Sequence, residues 1–403
     1  MRTTIRIIRS GAGRAAAIAA ALLCAANARA VPHLPDRDET VLEHLSPAVV
    51  ALREFRGARA TPATSTLADA LASARRYVEL GQTYSDPRAY GYAQAALGGW
   101  WTANPAPPQV LVMRARILQF RHEFDAALVQ LEAALKSDQF DADAWLLFAN
   151  IQQVRGNVRA ARAACLKLIP LADPLIGATC AASTAALNGR SLQGEQLLAK
   201  ALMEATGATA SERAWAWTTL AEVRARIGEA AAAEAAFKQA LILAPGDIYA
   251  RAAYADLLLD QNRARDVRAL LGADAAQADA TLLRLAIAAQ RNADADAAML
   301  SETLAQRFAE ARARGDRTHQ REQARFALEV QRDPLRALDL ARSNFAVQRE
   351  PADTRILLEC AIAGGDAQAA QPALDWLRDT DVEAPQLLAL AKQARSAQSG
   401  VKP

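Results

Sequence analysis

Small residues recur along this chain at a fixed spacing, in two slots at once. The first slot holds Gly81, Ala115, Ala149, Ser183, Ala221 and Ala255, with steps of 34, 34, 34, 38 and 34. The second holds Ala93, Ala127, Ala161, Glu195, Ala233 and Val267, with the same steps. In an alanine-rich chain one such row arises by accident, but two rows in one register do not. A period of this length belongs to repeat architectures, where a unit that cannot bury its apolar stripe alone stacks on copies of itself. Trp145 and Trp217 hold the aromatic position of their units, and Gly156 and Gly228 fall in the turn between two helices. Composition supports helices. Aromatics are 5% and no Val/Ile/Thr-rich alternating run occurs, whereas the Ala, Leu, Arg, Glu and Gln that dominate lose least on entering a helix.

The segment Tyr77-Val-Glu-Leu80-Gly81-Gln-Thr-Tyr84, followed by Ala93, Leu97, Trp100 and Pro105, follows the pattern W-x2-L-G-x2-Y … A-x3-F … A … P, with Tyr in the first aromatic slot. Trp100 stands where a small residue is usual. The fullest copy runs Trp217-x2-Leu220-Ala221, Gly228, Ala233, Phe237, Ala240 and Pro245. It follows a lengthened polar turn, Thr206 to Ser211, in which Ser211 is the expected helix cap. On these residues the chain resembles the tetratricopeptide-repeat family, specifically from about Ala74 to Leu271 and more weakly to about residue 396. The resemblance implies an all-α fold: an α-solenoid of stacked helix-turn-helix repeats, wound as a right-handed superhelix with a concave inner groove. Small residues let paired helices approach. Leu97, Leu131, Phe237 and Leu271 fill the space against the next repeat, and proline stops the second helix.

Residues 1–30 differ from the rest. Arg2, Arg6, Arg9 and Arg14 precede the short apolar run Ala15 to Ala26, and Ala28-Arg29-Ala30 supplies a small-x-small site. This pattern predicts a secretory signal peptide cleaved after Ala30, hence a periplasmic or secreted protein. Leu23 before Cys24 argues against lipid attachment there. No other stretch is long and apolar enough to span a membrane. Removing five of the 47 basic residues leaves 42 against 44 acidic, a net charge near −2, so the basic character belongs to the leader. Binding to nucleic acid, which requires neutralising phosphates, loses its support. Residues 31–66 are expected to form an arm and linker, with Asp38 to Phe55 helical around Pro47. The regular array covers 67–275 and diverged helical repeats cover 276–396. Their helices are expected at Leu282–Ala289, Ala297–Arg314, Gln320–Val330, Leu335–Val347, Asp353–Ala363 and Ala367–Arg378, with a disordered tail at 397–403.

Cys165, Cys180 and Cys360 form no CxxC pair. Three small buried apolar residues is the favoured reading, and a Cys165–Cys180 disulfide between consecutive helices is the alternative in an oxidising compartment. No HExxH, GxSxG or glycine-rich phosphate loop occurs, and the four histidines are scattered. The chain is therefore expected to be no enzyme and to need no cofactor or metal. His319 and Glu322, at i,i+3, are expected on a solvated helix face, as is the whole run Arg307–Arg332 with its seven arginines interleaved with acids. Of Trp100 and Trp101, the first is expected in the core and the second exposed. Tyr90 and Tyr92 are expected to pack and cap.

The inward positions of the first helix in each repeat carry the functional expectation. Arg75 and Asp86 come first, then Arg116, Gln119, Asn150 and Gln153, then Thr184 and Asn188. Trp215, Thr218, Glu222 and Arg226 follow, then Tyr249, Asp256 and Asp260, so that the surface turns from basic to acidic. Amides suit a peptide backbone, and Trp215 and Tyr249 suit side-chain anchors. The candidate groove is Arg116, Gln119, Asn150, Gln153, Asn188, Trp215, Glu222, Arg226, Tyr249 and Asp256. A lysine needed by the family's terminal-carboxylate clamp is missing from these positions. The expected role is an exported scaffold or adaptor that binds a protein or peptide partner. The alternative is a structural subunit of a bacterial-type envelope assembly or export complex.

Overall fold

The computed structural model describes residues 50–53, 66–84, 86–272 and 278–398, all within one unit spanning Pro47–Pro403. The signal peptide, its cleavage site, most of the arm and residues 399–403 of the tail lie outside the described residues. Every regular element among the described residues is helical. The first eight helices are α1 (Leu67–Tyr84), α2 (Pro87–Leu97), α3 (Pro108–Phe120), α4 (Phe124–Ser137), α5 (Ala142–Val154), α6 (Val158–Leu168), α7 (Pro174–Ala185) and α8 (Ser191–Glu204). Then come α9 (Ala210–Ile227), α10 (Ala230–Leu243), α11 (Ile248–Asp260) and α12 (Ala264–Leu271). The rest of the chain forms α13 (Asp279–Asn292), α14 (Ala297–Ala313), α15 (Gln320–Glu329), α16 (Pro334–Phe345), α17 (Pro351–Ala363), α18 (Gln371–Thr380) and α19 (Pro385–Gln398). Helix α19 lies beyond the expected helices and extends two residues into the expected tail.

Short polar side chains start these helices. Asp141, Asp173, Asp247 and Asp333 accept from backbone N–H groups of the first turn. At α9 the cap is Thr209, in a capping box with Glu212, rather than Ser211, because only Thr209 stands three residues before a glutamate that can reach back. Asp86, expected to face inward, instead caps α2 and binds the Arg88 guanidinium at 2.6 Å.

Consecutive helices pair into hairpins, and the two small slots are where they touch. Ala93, Ala127, Ala161, Ala233, Ala115 and Ala255 are wholly buried. Leu97, Leu131, Phe237 and Leu271 are buried at the next interface, each worth about 1.5–3 kcal/mol. After α1–α2, the next five hairpins turn on a left-handed residue: His122, Gly156, Gly189, Gly228 and Asn262. Those residues step by 34, 33, 39 and 34, which corrects the register of the fourth repeat. Seven residues before Gly189 is Ala182, not Ser183, and it is Ala182 and Gly194 that meet: a Cβ on Gly194 would lie 2.9 Å from the Ala182 carbonyl oxygen. The slip arises because α6 has 11 residues where α4 has 14, and the longer loops before and after α7 recover only part of the difference.

Cys165 on α6 and Cys180 on α7 are joined by a disulfide, which corrects the favoured reading of three unpaired core cysteines. Cys360 is free and buried, as expected. Trp101 is not exposed; it and Trp100 both pack partly buried against Leu97, Val110 and Met113, because Gly98–Trp101 form a 3-10 turn that swings both rings inward. Val50–Arg53 is helical, and Leu52 is buried against Leu80 and Ala89, so this part of the arm packs on the first hairpin.

The second half of the chain does more than extend the stack. The Arg349 N–H donates to the Val154 carbonyl at 2.8 Å, and the Ser191 N–H donates to Glu383 at 2.8 Å. Val158 and Leu187 share one apolar cluster with Trp376, Leu377 and Val382, and α9 touches α19. The last hairpins therefore lie against the inner side of the middle ones.

Candidate functional site

That contact encloses a cavity of about 370 Å³. One wall is the inward face of α9 and α11, where Glu222, Arg226, Asp256 and Asp260 stand one and five residues after the small slot. The opposite wall is α15 and α17, with Arg321, Glu322, Arg325, Glu350 and Arg355. Arg284 of α13 reaches in from the side, and Leu187, Leu257, Leu283, Ile356 and Leu387 supply apolar surface.

Ion pairs hold the two walls together. Arg284 grips Asp256 with two hydrogen bonds of 2.9 and 2.7 Å, and Arg325 binds the same carboxylate from across the cavity. Although burial works against it, these two guanidinium groups hold the Asp256 carboxyl well below the usual carboxylate range. Arg355 reaches Asp260 with paired bonds of 2.7 and 2.8 Å, across 95 residues of sequence. Two-point guanidinium–carboxylate bonds fix geometry as well as charge. Arg321 bridges Glu350 at 3.3 Å, Asp353 at 3.5 Å and Glu322 at 3.3 Å. Against the penalty of burial, Arg321 and Arg284 hold Glu322 down at about 2. Glu350 moves the other way: burial and then the neighbouring Asp353 push its carboxyl up.

On the α9–α11 wall the balance is different. Tyr249 Oη donates to Glu222 at 2.5 Å. The Glu222 charge and then burial raise the Tyr249 hydroxyl well above its ordinary value, and burial raises Glu222 in turn. Tyr249 keeps 59% of its surface accessible, but that surface faces the cavity, with protein around it. Arg226 makes no hydrogen bond or ion pair among the described residues, and its Nη1 is buried without a partner.

Of the candidate groove residues, Gln153, Glu222, Arg226, Tyr249 and Asp256 come together in this cavity. Arg116 and Gln119 line a second pocket with Tyr90, His122, His319 and Gln348. Asn188 lines a third, among residues of α6, α7 and α8. Its displacement follows from the register slip, which puts Leu187 at the inward position and the Ser183 hydroxyl on Gln153 at 3.1 Å. Asn150 and Trp215 line none of these three pockets. Thr184 and Thr218 are buried and donate to carbonyls of their own helices.

The far wall was not expected. The run Arg307–Arg332, read as a solvated face, sends Arg321, Glu322 and Arg325 into the cavity, where Glu322 and Arg325 are 13% and 15% exposed. Helical spacing shows that Arg321 and Arg325 share a face, but not what that face meets. The available signal was complementarity: acids accumulate at inward positions late in the array, and arginines follow. His319, expected on the solvated face with Glu322, lines the second pocket with His122, whose imidazole is lowered to about 4 by burial and then by His319. No group of three metal-ligating side chains lies close enough to hold a metal ion among the described residues.

No protein-family model matches the chain, and no curated protein matches it in sequence. Solved structures do. A tetratricopeptide-repeat protein from Parabacteroides merdae is 15% identical, with a TM-score of 0.38 over 61% of this chain and 92% of that one. A tetratricopeptide-repeat protein from Thermus thermophilus is 24% identical, with a TM-score of 0.34 over 51% and 98%. The human IFIT1 dimer with PPP-AAAA is 12% identical, with a TM-score of 0.46 over 87% of each chain. The stacked helical hairpins themselves make the fold an all-α solenoid, and these tetratricopeptide-repeat structures are what it is similar to.

Proposed function

We propose that this chain is an exported, non-catalytic adaptor that holds a peptide or a segment of a protein partner on its inner surface, in the cavity between α9/α11 and α15/α17. The observation that carries this reading is the convergence of Gln153, Glu222, Arg226, Tyr249 and Asp256 on one cavity. Its size and its mixture of apolar wall and few uncommitted polar groups suit a bound ligand. The charged groups argue for holding rather than reacting. Most are committed to arginine–carboxylate pairs that fix the walls, and guanidinium groups do not move protons at working pH. Cys360, the free thiol among the described residues, is buried and pushed up to about 12 by burial and then by Glu359, so it is a poor nucleophile. Export is supported by the leader sequence, and the Cys165–Cys180 disulfide suits an oxidising compartment. Among the described residues no helix is long and apolar enough to cross a membrane.

Photocrosslinking tests the reading. Replacing Tyr249→p-benzoylphenylalanine is expected to trap a discrete partner in cells, while Leu335→p-benzoylphenylalanine on the exposed side of α16 traps none. Adducts from position 335 alone would move the binding surface to the outside of the solenoid.

A further inference from the structure

Five arginines line the cavity, and four of them are paired. Arg284 and Arg325 hold Asp256, Arg355 holds Asp260, and Arg321 holds Glu350. Arg226 makes no hydrogen bond or ion pair among the described residues: it lines the cavity one helical turn after Glu222, whose charge acts against the lowering that burial imposes on the guanidinium, and its Nη1 is buried without a hydrogen-bond partner. A guanidinium nitrogen buried without an acceptor loses its hydrogen bonds to water and gains none in return, so folded proteins seldom keep one without use. Replacing it by an apolar side chain would have been easy in a wall already lined by Ala225, Leu187 and Leu387.

We infer that the cavity takes a carboxylate carried on an apolar body, with Arg226 as the group that binds the carboxylate. This rests on the reading that the cavity is the binding site, and it names the chemistry that enters it. The apolar body fits Leu187, Leu257, Leu283, Ile356 and Leu387, which together face the same space. The head group is a single negative charge. Six acids line the cavity against five arginines, so a phosphate dianion would meet Glu222 and Glu350 with only one free cation to offset them. A planar carboxylate matches one guanidinium edge, and the nitrogen of the Gln153 amide, whose own oxygen is taken by Ser183, is a further donor lining the same cavity. Tyr249 does not compete for the carboxylate, because its hydroxyl proton is committed to Glu222.

A carboxylate can arrive as a free organic acid or as the end of a peptide, and two probe pairs separate these sources. Melting temperature is measured with benzoate against benzamide, and with N-acetyl-leucyl-leucine against its C-terminal amide, each in the full-length protein. One acid or both is expected to raise Tm by about 2 °C at roughly tenfold above its Kd, with no rise for the matching amide or for inorganic phosphate. In Arg226→Met that rise is lost, while the melting temperature of the unliganded protein is unchanged or higher, since a buried unpaired charge has been removed. Arg226→Lys keeps part of the rise. The inference is overturned if neither acid stabilises, if an amide or phosphate does as well, or if the effect survives in Arg226→Met. It also falls if Arg226→Met melts lower than wild type, which would make Arg226 a structural residue. Crosslinking from position 249 is independent of these outcomes, so the cavity reading and its chemistry can fail separately.

Discussion

The chain from α1 to α12 and the chain from α13 to α19 are built from the same hairpin but held by different forces. In the first region each hairpin is buried against its sequence neighbours through alanines at two slots, and the ion pairs are local or between adjacent repeats, as in Arg224–Glu195. In the second region α15, α17, α18 and the turn before α17 also meet residues far back in the sequence, at Val154, Gly156, Asp256 and Asp260. Stacking needs only shape and period, whereas closure needs one particular surface to meet another. This explains why the first region keeps a strict spacing while the second has charges placed for partners in the first.

Substituting two glycines separates these forces. Gly156 and Gly228 both have positive φ, but a Cβ on Gly156 would lie 2.8 Å from Arg349 Cβ and Trp376 Nε1, while Gly228 faces open space. Gly228→Val should cost about 1–2 kcal/mol of backbone strain. Gly156→Val should cost about 2 kcal/mol more, by overpacking the closure. Urea denaturation of both variants measures the difference, and equal costs would mean that the closure contributes nothing at this point.

The Cys165–Cys180 disulfide belongs to the regular region and spans 15 residues. Cys165→Ala/Cys180→Ala should lose about 3 kcal/mol, and a reducing agent should have no further effect on that variant. Asp256→Ala, which leaves Arg284 without its carboxylate and Arg325 with Glu329 alone, should cost about 2–3 kcal/mol. A double-mutant cycle with Arg325→Met should recover part of it, and additive losses would show that the pair across the cavity does not couple the two regions.

Acid should act on the closure in two directions. Asp256 and Glu322 have folded pKa values below their unfolded ones, so the stability they contribute is present above the ordinary carboxylate range and is lost as pH falls through about 4 toward 2. Glu350 has a raised pKa, so the folded state binds its proton more tightly, and its contribution is greatest at low pH and declines as pH rises above the ordinary carboxylate value. Melting temperature against pH should pass through a maximum on the acid side of neutrality, and Glu350→Gln should flatten the alkaline side. The smallest effect belongs to the exposed Arg76–Glu79 pair in α1, where Arg76→Ala should change stability by about 0.5 kcal/mol or less.

The sequence by itself determined the repeat. Gly81, Ala115, Ala149, Ala221 and Ala255 were legible because close helix packing tolerates only small side chains, and that steric demand recurs at the period of the unit. The helices of the diverged region were legible for the same local reason, through Pro334, Pro351 and Gly364-Gly365. The register slip at Ala182 was hidden, since in an alanine-rich helix the neighbouring Ser183 fits the spacing equally well. Half of the candidate groove converged on one cavity, and Asn188 went elsewhere with the slip. Only the tertiary structure decided that Arg321, Glu322 and Arg325 face inward. An amphipathic pattern specifies that a charged face exists, but whether water or an opposing carboxylate meets it depends on how far the solenoid winds. That winding sums small rotations at every hairpin interface, which no single residue encodes.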